Sequence, residues 1–87
     1  MYEVELSEAA ITDLDDFSLG ALDQIFAFLL SLSDQPKPVG VQVIPLLEAA
    51  DGLAYLYDTD TFSIYYNIFE TARVAKVVGI FKRFNLN

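Results

Sequence analysis

The sequence contains no cysteine and no histidine among its 87 residues. Without cysteine, the chain has no disulfide and no thiolate nucleophile. Without histidine, it lacks the usual general base of enzymes and the commonest metal ligand of proteins. These two absences exclude catalysis that depends on a thiolate or an imidazole, and we expect neither a bound metal nor a cofactor.

Basic residues are scarce, with five Lys and Arg against 13 Asp and Glu and a net charge of −8. Contacts to a phosphate backbone need cationic side chains, so we expect neither a nucleic acid nor a membrane surface as partner. Glu3, Glu5 and Glu8 stand where a secretory signal would carry basic residues. The longest apolar runs are too short to cross a bilayer. We therefore expect a soluble cytoplasmic protein.

Apolar residues are abundant for a chain of this size, at 54% of the sequence, and 14% is aromatic. Residues 1–87 have the length of a single domain, and a small domain buries a modest share of its surface. We expect part of the apolar excess to be covered by a partner, either a second copy or a different chain.

The first third of the chain predicts a strand followed by two helices. Residues 2–6 alternate apolar and acidic side chains, which is typical of a strand with one wet face. Ser7 is placed to cap a first helix of about two turns, and Ser18 to cap a longer second helix. The predicted apolar stripe of the first helix contains Ala10, Ile11, Leu14 and Phe17. That of the second contains Leu22, Ile25, Phe26, Leu29 and Leu32 or Ser33.

The prolines in residues 34–38 end the second helix. Residues 39–44 predict a strand, and residues 46–50 a loop that leads to a turn at Asp51-Gly52. Residues 51–84 contain three aromatic and β-branched runs with two polar breaks, which predict a three-stranded antiparallel meander. The order β-α-α-β-β-β-β indicates an α+β two-layer sandwich, an antiparallel sheet covered by an N-terminal helical hairpin.

Four segments together resemble the RelE/ParE superfamily of toxins from bacterial toxin–antitoxin modules. They are the opening YEVELSEAAITDLDDF, the helix end DQPKPVG, the run DGLAYLYDTDTFSIYYNI and the final VAKVVGIFKRF. The resemblance spans nearly the whole chain and implies the same two-layer fold. RelE-like members are ribosome-dependent mRNA endonucleases, ParE-like members are associated with inhibition of DNA gyrase, and both are silenced by a bound antitoxin.

The resemblance also implies where nuclease residues would stand. The arginine and histidine positions of the family are occupied here by Tyr55, Tyr57, Ser63, Asn67 and Ile80. Basic character remains at Lys76, Lys82 and Arg83, which are the candidate catalytic residues. Because in-line phosphodiester cleavage needs charge neutralisation and a proton acceptor, these replacements favour a degenerate site.

Aromatic residues stand where the family places side chains that face nucleic acid. We therefore predict a protein interface formed by Tyr55, Tyr57, Tyr65 and Phe81. The leading interpretation is a toxin-family protein that binds an antitoxin-like partner or itself. An active toxin, either mRNA endonuclease or gyrase inhibitor, is the alternative, and an unrelated structural scaffold is a third.

We predict no bound ligand at either of two sets of acidic residues. Asp13, Asp15, Asp16 and Asp23 are expected to form a solvated helix face rather than a metal site. The run Asp58-Thr59-Asp60 is interpreted as a turn.

Overall fold

The computed structural model describes residues 1–35, 43–49 and 52–83, with backbone but not side-chain detail for 43–49 and 52–53. These described residues form two helices, a 3-10 turn at Leu14–Asp16 and five strands. The helices are α1 (Glu8–Asp13) and α2 (Leu19–Asp34). The strands are β1 (Glu3–Leu6), β2 (Val43–Ala49), β3 (Gly52–Asp58), β4 (Phe62–Phe69) and β5 (Val74–Lys82). The predicted order of elements and the α+β fold class are confirmed.

Both helices begin at the predicted serine caps. The Ser7 hydroxyl accepts a hydrogen bond from the Ala10 amide at 3.1 Å, and Ser18 accepts one from the Ala21 amide at 3.3 Å. Each bond satisfies one of the amides that a helix leaves unpaired in its first turn. Ser7 also donates to the Val78 carbonyl at 2.7 Å, so this cap ties the start of α1 to β5.

The sheet is mixed, with strand order β1-β5-β4-β3-β2. Strands β2 to β5 form antiparallel neighbours as predicted. The expectation of a wholly antiparallel sheet is wrong for β1, which runs parallel to β5 with Val4 beside Ala75 and Leu6 beside Val77. Alternation in the sequence shows which residues share a face, but it carries no information on the direction of a neighbouring strand.

The core lies between the helices and one face of the sheet. Its fully or nearly fully buried apolar residues are Ala10, Ile25, Phe28, Leu29, Leu32, Tyr55, Phe62, Ile64, Tyr66, Ile68, Ala75, Val77 and Ile80. The predicted helical stripes are wrong at two positions, since Ile11 and Phe26 are 56% and 44% exposed. Phe28 takes the place expected for Phe26, because α2 turns a slightly different side toward the sheet.

The prediction for the segment before the meander is wrong where the structure describes it. Residues 46–49 were expected in a loop but belong to β2. The register of β2 against β3 shifts between Pro45 and Leu47, and such a bulge breaks the period-two pattern that identifies a strand. The remainder of the predicted strand, residues 39–42, lies outside the described residues, as does Asp51 of the predicted turn.

Within the described part of the chain, no helix combines the length and apolarity needed to span a bilayer.

The hydroxyl of Tyr66 is buried in the core. Its side chain is 1% exposed, and its hydroxyl finds no hydrogen-bond partner among the described residues. Burial raises the pKa of this phenol well above its usual range, so the group stays neutral. A buried polar atom without a partner costs about 1–3 kcal/mol of desolvation.

Replacing Tyr66 with Phe should therefore leave the free energy of unfolding unchanged or raise it by about 1 kcal/mol. Urea unfolding followed by circular dichroism measures this change. The same substitution at Tyr2 is the matched control, because the Tyr2 hydroxyl donates to Glu70 Oε2 at 3.2 Å. Tyr2→Phe should be neutral or slightly destabilising, and a clear loss of stability in Tyr66→Phe would show that this hydroxyl has a partner.

Candidate functional site

The second face of the sheet is here called the open face. Alternation along β3, β4 and β5 places its side chains opposite to those of the core. Its described members are Ala54, Leu56, Asp58, Ser63, Tyr65, Asn67, Lys76, Val78 and Phe81. Both helices pack on the other face, where Phe28 contacts Tyr57 and Phe17 contacts Phe62. The open face is thus where the described chain presents its sheet side chains to other molecules.

An aromatic pair occupies the centre of the open face. The rings of Tyr65 and Phe81 meet edge to face, with centroids 5.2 Å apart and an interplanar angle of 80°. Gly79 lies under the Phe81 ring, since a Cβ at that position would be 2.9 Å from two ring carbons. The missing side chain lets the ring fold back onto the strand, and the pair is preorganised in this arrangement.

A shallow groove of about 390 Å³ adjoins this pair. Its lining consists of Ala54, Tyr55, Tyr65, Tyr66, Asn67, Val78 and Phe81. Val78 has no register partner in β4, because the ladder shifts from Tyr66–Val77 to Tyr65–Gly79 across it. This bulge directs Val78 outward, and its side chain is 43% exposed. The groove is therefore mainly apolar, with Asn67 and the Tyr65 phenol as polar features.

The four aromatic residues predicted as one interface lie on two faces. Tyr65 and Phe81 share the open face and are 37% and 50% exposed. The ring of Tyr57 stacks on that of Phe28 in α2 with centroids 3.8 Å apart, and the ring of Tyr55 stacks on that of Tyr66 with centroids 5.5 Å apart. The single surface predicted from the sequence is thus incorrect for Tyr57, which pairs with the core residue Ile64. Tyr55 lines the groove, but its ring packs against the core residue Tyr66.

The three candidate catalytic cations are not brought together. Lys76 lies on the open face, opposite Asn67 and beside Glu5 of β1. Lys82 pairs with Phe62, whose ring contacts Phe17, so it stands on the helix-covered side. The two lysines are six positions apart along β5, a distance of about 20 Å at ~3.3 Å per residue. A single phosphate does not bridge cations that lie this far apart on different faces.

Arg83 is neutralised by its own chain. Its guanidinium donates to Asp58 Oδ1 at 2.6 Å and to the Thr59 carbonyl at 3.2 Å. Ser63 donates to the same Asp58 oxygen at 2.7 Å. These bonds hold the pKa of Asp58 below its usual value, the Ser63 hydrogen bond being the largest cause and Arg83 contributing next. The prediction of a turn at 58–60 is wrong for Asp58, which is the last residue of β3, and the turn begins at Thr59. The Asp58 carboxylate links the start of this turn to the end of β5 through Arg83.

Asp58 should give the fold a defined sensitivity to acid. A carboxyl whose folded pKa lies below its unfolded value stabilises the fold above about pH 4, and this contribution disappears as the pH falls through the folded pKa. Wild type should therefore be more stable than Asp58→Asn at neutral pH, and the difference should disappear as the pH falls through the lowered pKa of Asp58. Urea midpoints measured from neutral to acid pH test this, and a constant gap would contradict it.

At the other positions where the family resemblance implies nuclease residues, this chain has residues that line the groove or support the fold. Ser63 is 8% exposed and bonded to Asp58, and Ile80 is 2% exposed in the core. Asn67 lines the groove without a charge. Residues 1–35, 43–49 and 52–83 contain no group of three or more side chains suited to a metal ion. None of these side chains supplies the cations or the base that cleavage of RNA needs.

One acidic residue has a role that the sequence did not indicate. Asp13 was expected to face water, but its Oδ2 accepts a hydrogen bond from the Ile80 amide at 3.1 Å. β1 pairs with β5 only as far as Val77, and among the described residues no strand pairs with the outer edge of β5 beyond that point. Asp13 covers one amide of this edge, and edges of this kind otherwise invite strand pairing.

The architecture defines a class: a helical pair on one face of a sheet whose first strand lies parallel to the last. The chain shares this fold with RelE toxins of solved structure. An archaeal RelE–RelB complex from Pyrococcus horikoshii matches with TM-score 0.87 and 19% identity over 98% of both chains. The toxin–antitoxin complex RelBE2 from Mycobacterium tuberculosis matches with TM-score 0.76 and 20% identity over 94% and 98%. The isolated RelE toxin of E. coli matches with TM-score 0.74 and 14% identity over 100% and 89%.

No family profile and no curated protein matches the sequence. At these identities the structural likeness establishes the fold, and the resemblance to RelE read from the sequence is confirmed at that level. The fold hosts the open face described above, and the function of that face has to be argued from its own residues.

Proposed function

We propose that the chain is a toxin-family protein of a toxin–antitoxin module that acts by binding an antitoxin-like protein, its nuclease site being degenerate. Two of the solved structures that share its fold are complexes of RelE with RelB. That assembly supports a protein partner as the expected ligand for this fold. Cytoplasmic location and soluble behaviour belong to the same proposal.

The observation that carries the proposal is the chemistry of the open face. Its centre is the Tyr65–Phe81 pair beside an apolar groove. Large aromatic side chains next to an apolar depression are typical of the residues that dominate protein interfaces. A phosphate backbone would instead require several unpaired cations. Of the three candidate cations, Lys76 alone lies on the open face, and the guanidinium of Arg83 is bound to the Asp58 carboxylate.

Long-range electrostatics point the same way. The chain carries a net charge of −8. Ribosomes are polyanions, and like charge slows encounter and weakens binding at moderate ionic strength. A partner with basic segments would be attracted instead, so an antitoxin-like chain is favoured over a second copy, which carries the same charge of −8.

The proposal is tested by co-purifying the chain with the product of the gene that neighbours its own. Wild type should retain this protein at a fixed stoichiometry. Tyr65→Ser combined with Phe81→Ser should weaken the complex by about 2 kcal/mol or more, roughly thirtyfold. Lys82→Ala is the matched control on the opposite side of the sheet and should bind like wild type.

Two outcomes would overturn the proposal. One is a complex that is unaffected by the double serine variant, which would place the contact elsewhere. The other is arrest of growth and translation on induced expression, relieved by Lys82→Ala with Arg83→Ala, which would reveal an active toxin. Light scattering over a range of concentrations completes the test, since a stable homodimer lost in the double serine variant would replace the antitoxin-like partner with a second copy.

A further inference from the structure

A second apolar surface runs along the outer side of α2, away from the sheet. Leu19, Phe26 and Leu30 are 82%, 44% and 75% exposed. With Asp23 they recur at intervals of four, three and four residues, the spacing of a coiled-coil seam. The stretch is about 17 Å long at 1.5 Å per residue. We call these four residues the outer seam.

The outer seam belongs to a segment of the sequence whose charged residues are all acidic. Residues 1–35 contain none of the five basic residues and eight of the 13 acidic ones. The eight are Glu3, Glu5, Glu8, Asp13, Asp15, Asp16, Asp23 and Asp34. Asp23 occupies a position within the seam itself, between Leu19 and Phe26. An approaching helix would therefore meet apolar side chains with the carboxylate of Asp23 among them, and Asp34 at the C-terminal end of the same helix.

We propose that the outer seam binds an amphipathic helix of another protein that carries a basic side chain opposite Asp23. A polar residue at one seam position selects the partner that can pair with it. Lysine or arginine in the facing helix would satisfy the carboxylate of Asp23, and a cation further along that helix would meet Asp34 at the end of α2. This surface is separate from the open face, because α2 stands between it and the sheet.

A second copy of this chain fits the outer seam poorly. Pairing two copies of α2 would oppose apolar side chains but would also bring two acidic segments without cations into contact. Like charges facing each other in a helix pair are destabilising. Each copy also carries the full net charge of −8. The seam therefore discriminates against self-association and favours a basic partner.

The test uses synthetic helical peptides of about 18 residues, a length sufficient to cover the seam. One peptide has a leucine seam with a central lysine and flanking lysines. A second has the same leucines with glutamate at every lysine position, and a third has the lysine composition in scrambled order. Binding is measured by fluorescence anisotropy with the full chain at low and at high salt.

The lysine peptide should bind, whereas the glutamate and scrambled peptides should bind at least about tenfold more weakly. Phe26→Ser with Leu30→Ser should weaken the lysine peptide about tenfold or more. Asp23→Asn should weaken it less and reduce its dependence on salt. These side chains are exposed, so urea midpoints should confirm that the variants remain folded. Phe81→Ser on the open face is the control and should bind the peptide like wild type.

Equal binding of the lysine and scrambled peptides would overturn the proposal, as would a peptide whose affinity falls in Phe81→Ser and not in the seam variant. A concentration-dependent dimer in sedimentation that is lost in Phe26→Ser with Leu30→Ser would also overturn it, because the occupant would then be a second copy. The outcome is independent of the antitoxin-like contact on the open face, which the serine variants of Tyr65 and Phe81 address.

Discussion

Replacing Phe28 with Ala should lower the free energy of unfolding by about 3–5 kcal/mol. The Phe28 ring is 7% exposed and stacks on Tyr57 with centroids 3.8 Å apart and planes within 5°. It also meets Tyr66 edge to face at 5.7 Å. Truncation removes both ring contacts and leaves a cavity between α2 and β3, which the surrounding rigid sheet fills only in part.

This effect is large against the whole stability of the domain, which for 87 residues is roughly 4–13 kcal/mol. Urea unfolding monitored by circular dichroism and tyrosine fluorescence gives the measurement. Leu30→Ala is the control on the same helix, because Leu30 is 75% exposed, and it should change stability by less than about 0.5 kcal/mol. Similar losses in the two variants would mean that α2 packs on the sheet through a different side.

Placing arginine at Asn67 and at Val78 should create an affinity for single-stranded RNA that wild type lacks. Both residues line the groove on the open face, and Lys76 stands opposite Asn67 across the β4–β5 ladder. Three cations would then lie on one face. Each phosphate neutralised on a single strand contributes about −0.7 to the slope of log affinity against log salt, so two new contacts should add about −1.4.

The control for the variant with arginine at Asn67 and Val78 adds the same two positive charges on α2 instead of on the open face. Ala27→Arg with Leu30→Arg on α2 changes the net charge from −8 to −6, as the groove variant does, because each substitution adds one positive charge. Anisotropy of a labelled oligonucleotide across a salt series compares them. The α2 variant should stay near wild type. Equal binding by both would show that net charge, and not its placement on the open face, limits contact with RNA.

Much of the fold follows from local rules that act on particular residues. Ser7 and Ser18 precede apolar-periodic segments, and both act as caps. Phe62, Ile64, Tyr66 and Ile68 alternate with more polar residues, and all four are buried on one face. Helix capping and period-two alternation depend on residues that are close in sequence, so both can be predicted without the structure.

The candidate site was less accessible to such rules. Alternation correctly groups Tyr55 with Tyr57, but it leaves open which face of β3 the helices cover. That choice is made by Phe28, which stacks on Tyr57 from a helix two elements earlier. The outward position of Val78 depends on a bulge in the β4–β5 ladder, which period-two alternation does not reveal. Contacts between segments that are distant in sequence decide which face of β3 is covered and where Val78 points. For this reason the four aromatic residues predicted as one interface have their rings on two different faces.

The charges show the same limit. Lys82 and Arg83 are adjacent in sequence and suggest a basic patch, yet Lys82 stands on the helix-covered side. Arg83 is bound to Asp58, 25 positions away. Pairing across that separation is set by the β3–β4 turn meeting the end of β5.

The most direct test of a protein-binding open face is ribosome association by the purified wild-type chain. Translating ribosomes on a defined messenger are sedimented through a cushion, and the messenger ends are mapped by primer extension. We expect the chain to remain in the supernatant at near-physiological salt and the messenger to stay intact. Co-sedimentation at stoichiometric amounts, with messenger cut at a fixed position within the codon, would contradict a protein-binding function for this face.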